Sequence, residues 1–229
     1  MLMTIPSKFD SIRPFDTDDL PAVYDRLLAN PQFREVIKYV LPGVSFEAVE
    51  AKMRACKTSL DFQKAFSYAF LSDLLAKKSN GISNNFDDVD TTRRYTFVSN
   101  HRDIVLDSAL LAKQLLDAGF TTTCEIAIGD NLLRLPWVKD MARLNKAFIV
   151  ERDLPMRELL IASKRLSEYM HYAINQKHEN IWIAQREGRA KDSDDRTQPA
   201  ILKMMSLGDG GTVIDRLKDL HIVPLSISY

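Results

Sequence analysis

The sequence predicts an α/β fold, a mostly parallel sheet flanked by helices, with an N-terminal helical subdomain. Three observations carry this. From Tyr95 onward, short strand-like runs alternate with helix-length apolar-periodic runs, the rhythm of parallel strands joined by helical crossovers. Residues 16 to about 80 are helix-like throughout, with no strand between. Ser79 to Asp90, SNGISNNFDDVD, is polar and turn-rich and marks the boundary between the two styles.

Taken in order, residues 1 to 15 read as an irregular lead-in. Asp16 to Asp19 offer N-caps for a helix whose Leu20, Val23, Tyr24, Leu27 and Leu28 share a face. Asn30-Pro31 interrupts it, and Phe33 to Leu41 forms a second helix ended by Pro42-Gly43. Ser45 caps a third, running through Met53 and Cys56, and Leu60 to Lys77 continues in the same manner. The expected division is therefore 1–86 for the helical region and 87–229 for the α/β core. In the core, strands are expected at Tyr95–Val98, Thr122–Ile128, Ala147–Val150, Asn180–Ala184 and Ile222–Ser228. Helices are expected at Asp103–Ala118, over part of Asp130–Asn145, at Pro155–Gln176 and at Thr197–Leu207. The last strand runs almost to Tyr229, so the core is expected to continue beyond this sequence.

Composition narrows the function. With 229 residues, 45% of them hydrophobic, the chain can bury a sizeable core. Lys plus Arg and Asp plus Glu are 31 each, so no global field draws it to nucleic acid or an anionic membrane, and any basic site is local. Cys56 and Cys124 lie in unrelated contexts with no metal-ligand spacing, which suits buried thiols in a reducing compartment. The N-terminus lacks the basic start and apolar core of a signal peptide, and no apolar run approaches the ~18 residues of a spanning helix. The sequence thus predicts a cytoplasmic protein, peripheral at most to the inner face of the membrane.

Three polar clusters directly follow predicted strands. They are His101-Arg102-Asp103 with Asp107, then Glu151-Arg152-Asp153, then Arg186-Glu187-Gly188-Arg189-Ala190-Lys191. Parallel strands would bring all three to one rim, where ligands of such sheets bind. A histidine with a carboxylate partner is the smallest unit that acts as a general base on a hydroxyl near neutral pH. No G-x-S-x-G elbow is present, so direct transfer with the acceptor's own hydroxyl attacking fits better than a covalent enzyme intermediate. Arg152, Arg189 and Lys191 suit a phosphate-bearing substrate. Each cluster also has a plainer reading: Asp103 as a helix cap, Arg152-Asp153 as a solvated loop, Glu187 and Arg189 as an exposed ion pair. His171, His178 and His221 have no carboxylate or cysteine at ligand spacing and read as structural.

These clusters resemble the four sequence blocks of the glycerolipid acyltransferase superfamily, which includes glycerol-3-phosphate and 1-acylglycerol-3-phosphate acyltransferases. Ser99-Asn100-His101-Arg102-Asp103-Ile104-Val105-Leu106-Asp107-Ser108 is similar to its His-x4-Asp block. Lys146-Ala147-Phe148-Ile149-Val150-Glu151-Arg152 resembles the aromatic-rich strand ending in arginine, and Arg186-Glu187-Gly188-Arg189-Ala190-Lys191 the Glu-Gly-basic block. Ile222-Val223-Pro224-Leu225-Ser226-Ile227-Ser228 is similar to the Val-Pro strand, and the order across residues 95 to 229 is the family's own. Two departures stand out. Five residues rather than four separate His101 from Asp107, which leaves Asp107 as the expected partner and Asp103 in reserve. The third block lacks the usual Thr or second Gly between Glu-Gly and Arg.

The resemblance implies an O-acyltransferase of phospholipid synthesis, moving a fatty acyl group from a thioester carrier to a glycerol-phosphate-type acceptor. It implies His101 as general base, Asp107 as its orienter, Arg189 as the phosphate ligand with Lys191 and Arg152 in support, Glu187 as the residue that positions the acceptor or braces the arginines, and Gly188 among the substrate-binding residues. No metal and no resident cofactor are implied; acyl-CoA or acyl carrier protein is the co-substrate. The implied partners are that thioester donor and a lipid-phosphate acceptor, without nucleic acid. Acylation of a different lipid such as an aminolipid, and a lipid-binding module without catalysis, are the alternatives. Peripheral membrane contact is a further expectation, with Phe66, Tyr68, Phe70, Leu71, Leu74 and Leu75 beside Lys77 and Lys78 as the candidate surface.

Overall fold

The computed structural model describes residues 5–86, 88–191 and 194–229. The start of the expected lead-in, residues 1–4, and Asp87 at the expected domain boundary lie outside them. In chain order, α1 (Leu20–Ala29), α2 (Pro31–Val40), α3 (Phe46–Ala55), α4 (Ser59–Phe62) and α5 (Ala69–Lys78) come first. Then follow β1 (Thr96–Ser99), α6 (Leu106–Asp117), β2 (Cys124–Gly129), α7 (Pro136–Leu144) and β3 (Ala147–Val150). The chain closes with α8 (Met156–Asn175), β4 (Asn180–Ala184), α9 (Pro199–Met205), α10 (Val213–Asp219) and β5 (Ile222–Leu225).

These elements form two compact units. One comprises Pro14–Ile82 and Asn131–Ala147; the other holds the described parts of Met1–Arg13, Ser83–Asp130 and Phe148–Tyr229. In the helical unit, local chemistry fixes where each helix begins. The Asn30 side chain accepts from Phe33 N–H, Ser45 from Ala48 N–H, and Thr58 and Asp61 form a reciprocal capping box. Leu20, Val23, Tyr24, Leu27, Phe33, Val49 and Met53 pack into one core with Leu144 of α7. That helix follows β2 in sequence but belongs to this unit, tied to α1 by the fork of Arg26 on Asp140 (2.8 and 3.1 Å). The continuous helix expected over Leu60–Lys77 is widened to a π-helix between Gln63 and Tyr68. There the side chains of Gln63 and Ser67 donate to the Asn145 carbonyl and side-chain oxygens.

The second unit carries a five-stranded sheet in the order β3-β2-β4-β1-β5. β1 pairs with β4 and with β5, and β2 with β4, all in parallel. Phe97, Phe148, Ile181 and Leu115 are fully buried in its core. Central parallel strands are covered on both faces, which is why β1 reads TFVS with all four residues buried. Pro224 lies on the edge strand β5, where a missing N–H costs no central ladder bond. The last strand ends at Leu225, three residues short of the expected Ser228. The helix α10 was not anticipated, although its capping box, Thr212 with Asp215, is present in the sequence. His171 has a carboxylate partner after all: its Nδ1 lies 2.6 Å from Asp219 Oδ2. Among the described residues, no helix is long and apolar enough to cross a membrane.

Phe97 is 0% exposed at the centre of β1. Phe97→Ala is expected to cost about 3–5 kcal/mol of unfolding free energy, measured by urea denaturation. A cost under about 1 kcal/mol would contradict this placement of the core.

Candidate active site

The site is built at the end of β1, where the chain turns toward α6. Ser99, the last strand residue, is fully buried; it accepts from Trp182 Nε1 (2.9 Å) and donates to the Asn100 carbonyl (2.7 Å). Asn100 then braces the corner against the segment after β5. Its amide donates to the Ile227 carbonyl (2.8 Å), and its oxygen accepts from Ile227 N–H (2.7 Å). His101 follows, with its side chain 13% exposed and the Trp182 ring edge-on at 5.8 Å.

The His101 ring meets Asp107, with Nδ1 2.8 Å from Oδ2. Asp107 is fully buried and takes three further donors: Arg102 N–H (2.7 Å), Asp103 N–H (3.1 Å) and the Tyr229 hydroxyl (2.7 Å). Burial pushes the Asp107 carboxyl up, but the hydrogen bonds from His101, Tyr229 and the two backbone amides outweigh it and hold the group below the ordinary carboxylate value. Burial and the neighbouring carboxylate together push the Tyr229 phenol well up, so it stays a donor. An ionised carboxylate only accepts, so the His101 proton lies on Nδ1 and Nε2 keeps a free lone pair.

Asp103 occupies a different place. Its Oδ1 accepts from Val105 N–H and Leu106 N–H, both at 2.8 Å, which caps the entry to α6. The helix begins at Leu106 rather than at the expected Asp103. Residues 102 to 105 therefore form a wider corner that absorbs the fifth intervening residue and sets Asp107 in the first helical turn, against the ring.

The other predicted residues gather along the same rim. Ala190 N–H donates to the His101 carbonyl (3.0 Å), and Gln185 N–H to the Ser99 carbonyl (2.7 Å), so the loop after β4 is stitched to the β1 corner. Within that loop Gly188 has φ +69°, the left-handed region where a Cβ would be strained. Glu187 accepts from Arg152 Nη1 at 2.6 Å, which joins the end of β3 to the end of β4. Glu187 is 68% exposed, a setting in which such a pair adds little stability. Arg102 pairs instead with Asp195 (2.5 Å), and Arg186 with the Asp194 carbonyl (2.7 Å). Arg189 and Lys191 are exposed and have no ion-pair partner among the described residues. Among those residues, no group of three or more His, Cys, Asp or Glu side chains is placed to hold a metal ion. Sequence reading did not find Tyr229, an aromatic residue in a different stretch of chain, nor the reciprocal Asn100–Ile227 bonds.

The arrangement can take a proton at His101 Nε2, stabilise the resulting imidazolium through Asp107, and offer exposed cations to an anion nearby. A family model described as Acyltransferase matches residues 83–228. No curated protein matches the chain.

A carboxyl whose pKa is depressed by folding contributes stability that is complete above its unfolded value, 3.8 here, and is lost as pH falls through the folded value. The stability gap between the wild type and Asp107→Asn is therefore expected to shrink as pH falls from about 6 to about 3. Urea denaturation across that range reads it, and a gap that stays constant would contradict the ionised, hydrogen-bonded Asp107.

Proposed function

Because the chain belongs to the acyltransferase family and is an acyltransferase, we propose that it moves a fatty acyl group from acyl-CoA or acyl carrier protein to a glycerol-phosphate-type acceptor in phospholipid synthesis. The observation that carries this reading is the buried Asp107 held 2.8 Å from the His101 ring, beside a loop with two exposed cations.

The acceptor hydroxyl gives its proton to His101 Nε2 as its oxygen attacks the thioester carbonyl. A carbon–oxygen bond forms, the tetrahedral centre collapses with loss of the carbon–sulfur bond, and the departing thiolate takes the proton from the imidazolium. Asp107 orients the ring and stabilises its charged form; Tyr229 and the amides of Arg102 and Asp103 hold Asp107. The acceptor phosphate binds Arg189, with Lys191 and Arg152 in support, while Glu187 braces Arg152 and Gly188 shapes the turn.

The test is thiol release from long-chain acyl-CoA with glycerol-3-phosphate or 1-acylglycerol-3-phosphate as acceptor. His101→Ala is expected to lower kcat by roughly 10²- to 10⁴-fold. Arg189→Ala is expected to raise the acceptor KM by about tenfold while kcat changes less. Acceptor-dependent release that persists in folded His101→Ala would overturn the reading. An unchanged acceptor KM in Arg189→Ala would remove Arg189 from the acceptor site.

A further inference from the structure

The helix α8 is not packed along its whole length. Every residue from Pro155 to Ile161 is exposed, and the helix enters the core of its unit only at Ala162, which is 5% exposed. Four of the exposed side chains are large and apolar: Met156 (82%), Leu159 (37%), Leu160 (61%) and Ile161 (59%). The first turn and a half of the helix thus projects as an apolar tip, whereas a surface helix ordinarily turns such residues inward.

Its place in the fold gives this tip a meaning. α8 leaves the end of β3 just after Arg152, and Arg152 is paired with Glu187 at the end of β4. The β4 loop is bonded in turn to His101. The tip therefore rises from the rim that carries the candidate site, and Ile104 and Val105, in the corner that leads to α6, add two more exposed apolar side chains there. Among the described residues, the rim's cations without a carboxylate partner are Arg157, Arg186, Arg189 and Lys191, against Asp103, Asp153 and Glu158, which have no cation partner. Of the surface earlier expected to face lipid, Leu71 is buried and Phe66 stacks on Phe62 at 4.8 Å, while Phe70 is 47% exposed.

We propose that the α8 tip inserts into the surface of a lipid bilayer bearing anionic headgroups, with the rim's cations against the phosphates. A convex tip of a few apolar side chains supplies far less than the roughly 20–30 residues a side of a stable protein interface. A bilayer accepts such a wedge, with apolar side chains entering the acyl boundary and arginine and lysine at headgroup level. The inference rests on the proposed reaction only in that its acyl donor and acceptor are amphiphiles.

Flotation of the full chain with vesicles tests it. Binding is expected to phosphatidylcholine vesicles containing about one third phosphatidylglycerol, to weaken in high salt, and to be poorer for phosphatidylcholine alone. A Met156→Ser/Leu160→Ser double variant is expected to bind the mixed vesicles about tenfold or more weakly, with an unchanged thermal midpoint. A Leu160→Trp variant is expected to shift its emission to the blue on vesicle addition. Equal binding by the double variant, no blue shift, or no binding by the folded chain would overturn the proposal, as would a dimer that the double variant dissolves. Thiol release from short-chain acyl-CoA to glycerol-3-phosphate, both freely soluble, is expected to be the same in the double variant. Loss of vesicle binding alone therefore leaves the acyl-transfer reading standing, and loss of His101-dependent release alone leaves the docking surface standing.

Discussion

One buried carboxylate organises the candidate site. Asp107 has no exposure and receives four hydrogen bonds: one from a ring, one from a phenol and two from backbone amides. A lone ionised carboxylate in that position would be expensive, since burial disfavours its charge. The four donors reverse the balance, and in doing so they fix three things together: the tautomer of His101, the shape of the corner between β1 and α6, and the position of Tyr229. The catalytic proposal depends on the first of these, because only a ring protonated at Nδ1 presents Nε2 as a base.

The sheet gathers everything else. The order β3-β2-β4-β1-β5 places β1 between β4 and β5, so the corner bearing His101 is flanked by the loop after β4 on one side and the segment after β5 on the other. Backbone bonds then lock the neighbours in: Gln185 and Ala190 from one side, Ile227 from the other. This is the general behaviour of parallel sheets, where ligand sites form beyond the carboxyl ends of the strands. The cluster at the end of β3 reaches the same rim through Arg152 and Glu187.

Much of this was legible in the residues. Strand-helix alternation from Tyr95 announced the sheet, and polar clusters directly after strand-like runs announced the rim. What stayed hidden follows from physics that sequence spacing does not carry. The fifth residue between His101 and Asp107 departs from the family's spacing, and what accommodates it is a corner that extends to Val105 before α6 begins. In the π-helical stretch, Gln63 and Ser67 find Asn145, a partner roughly 80 residues away in the chain. Tyr229 reaches Asp107 across 122 residues and had no local pattern to mark it. The helix α10 is a different kind of miss, since its capping box stood in the sequence and only its short apolar face concealed it. His171 and Asp219 likewise meet only because α8 and α10 share one unit.

The central claim is that Asp107 holds His101 as a base at Nε2. The most direct measurement is nitrogen-15 NMR of the histidine side chains, with His101 assigned through the spectrum of His101→Gln, at a pH where the ring is neutral. The account predicts a His101 imidazole protonated at Nδ1 with an unprotonated Nε2. A ring protonated at Nε2 would leave no base facing the acceptor and would contradict it.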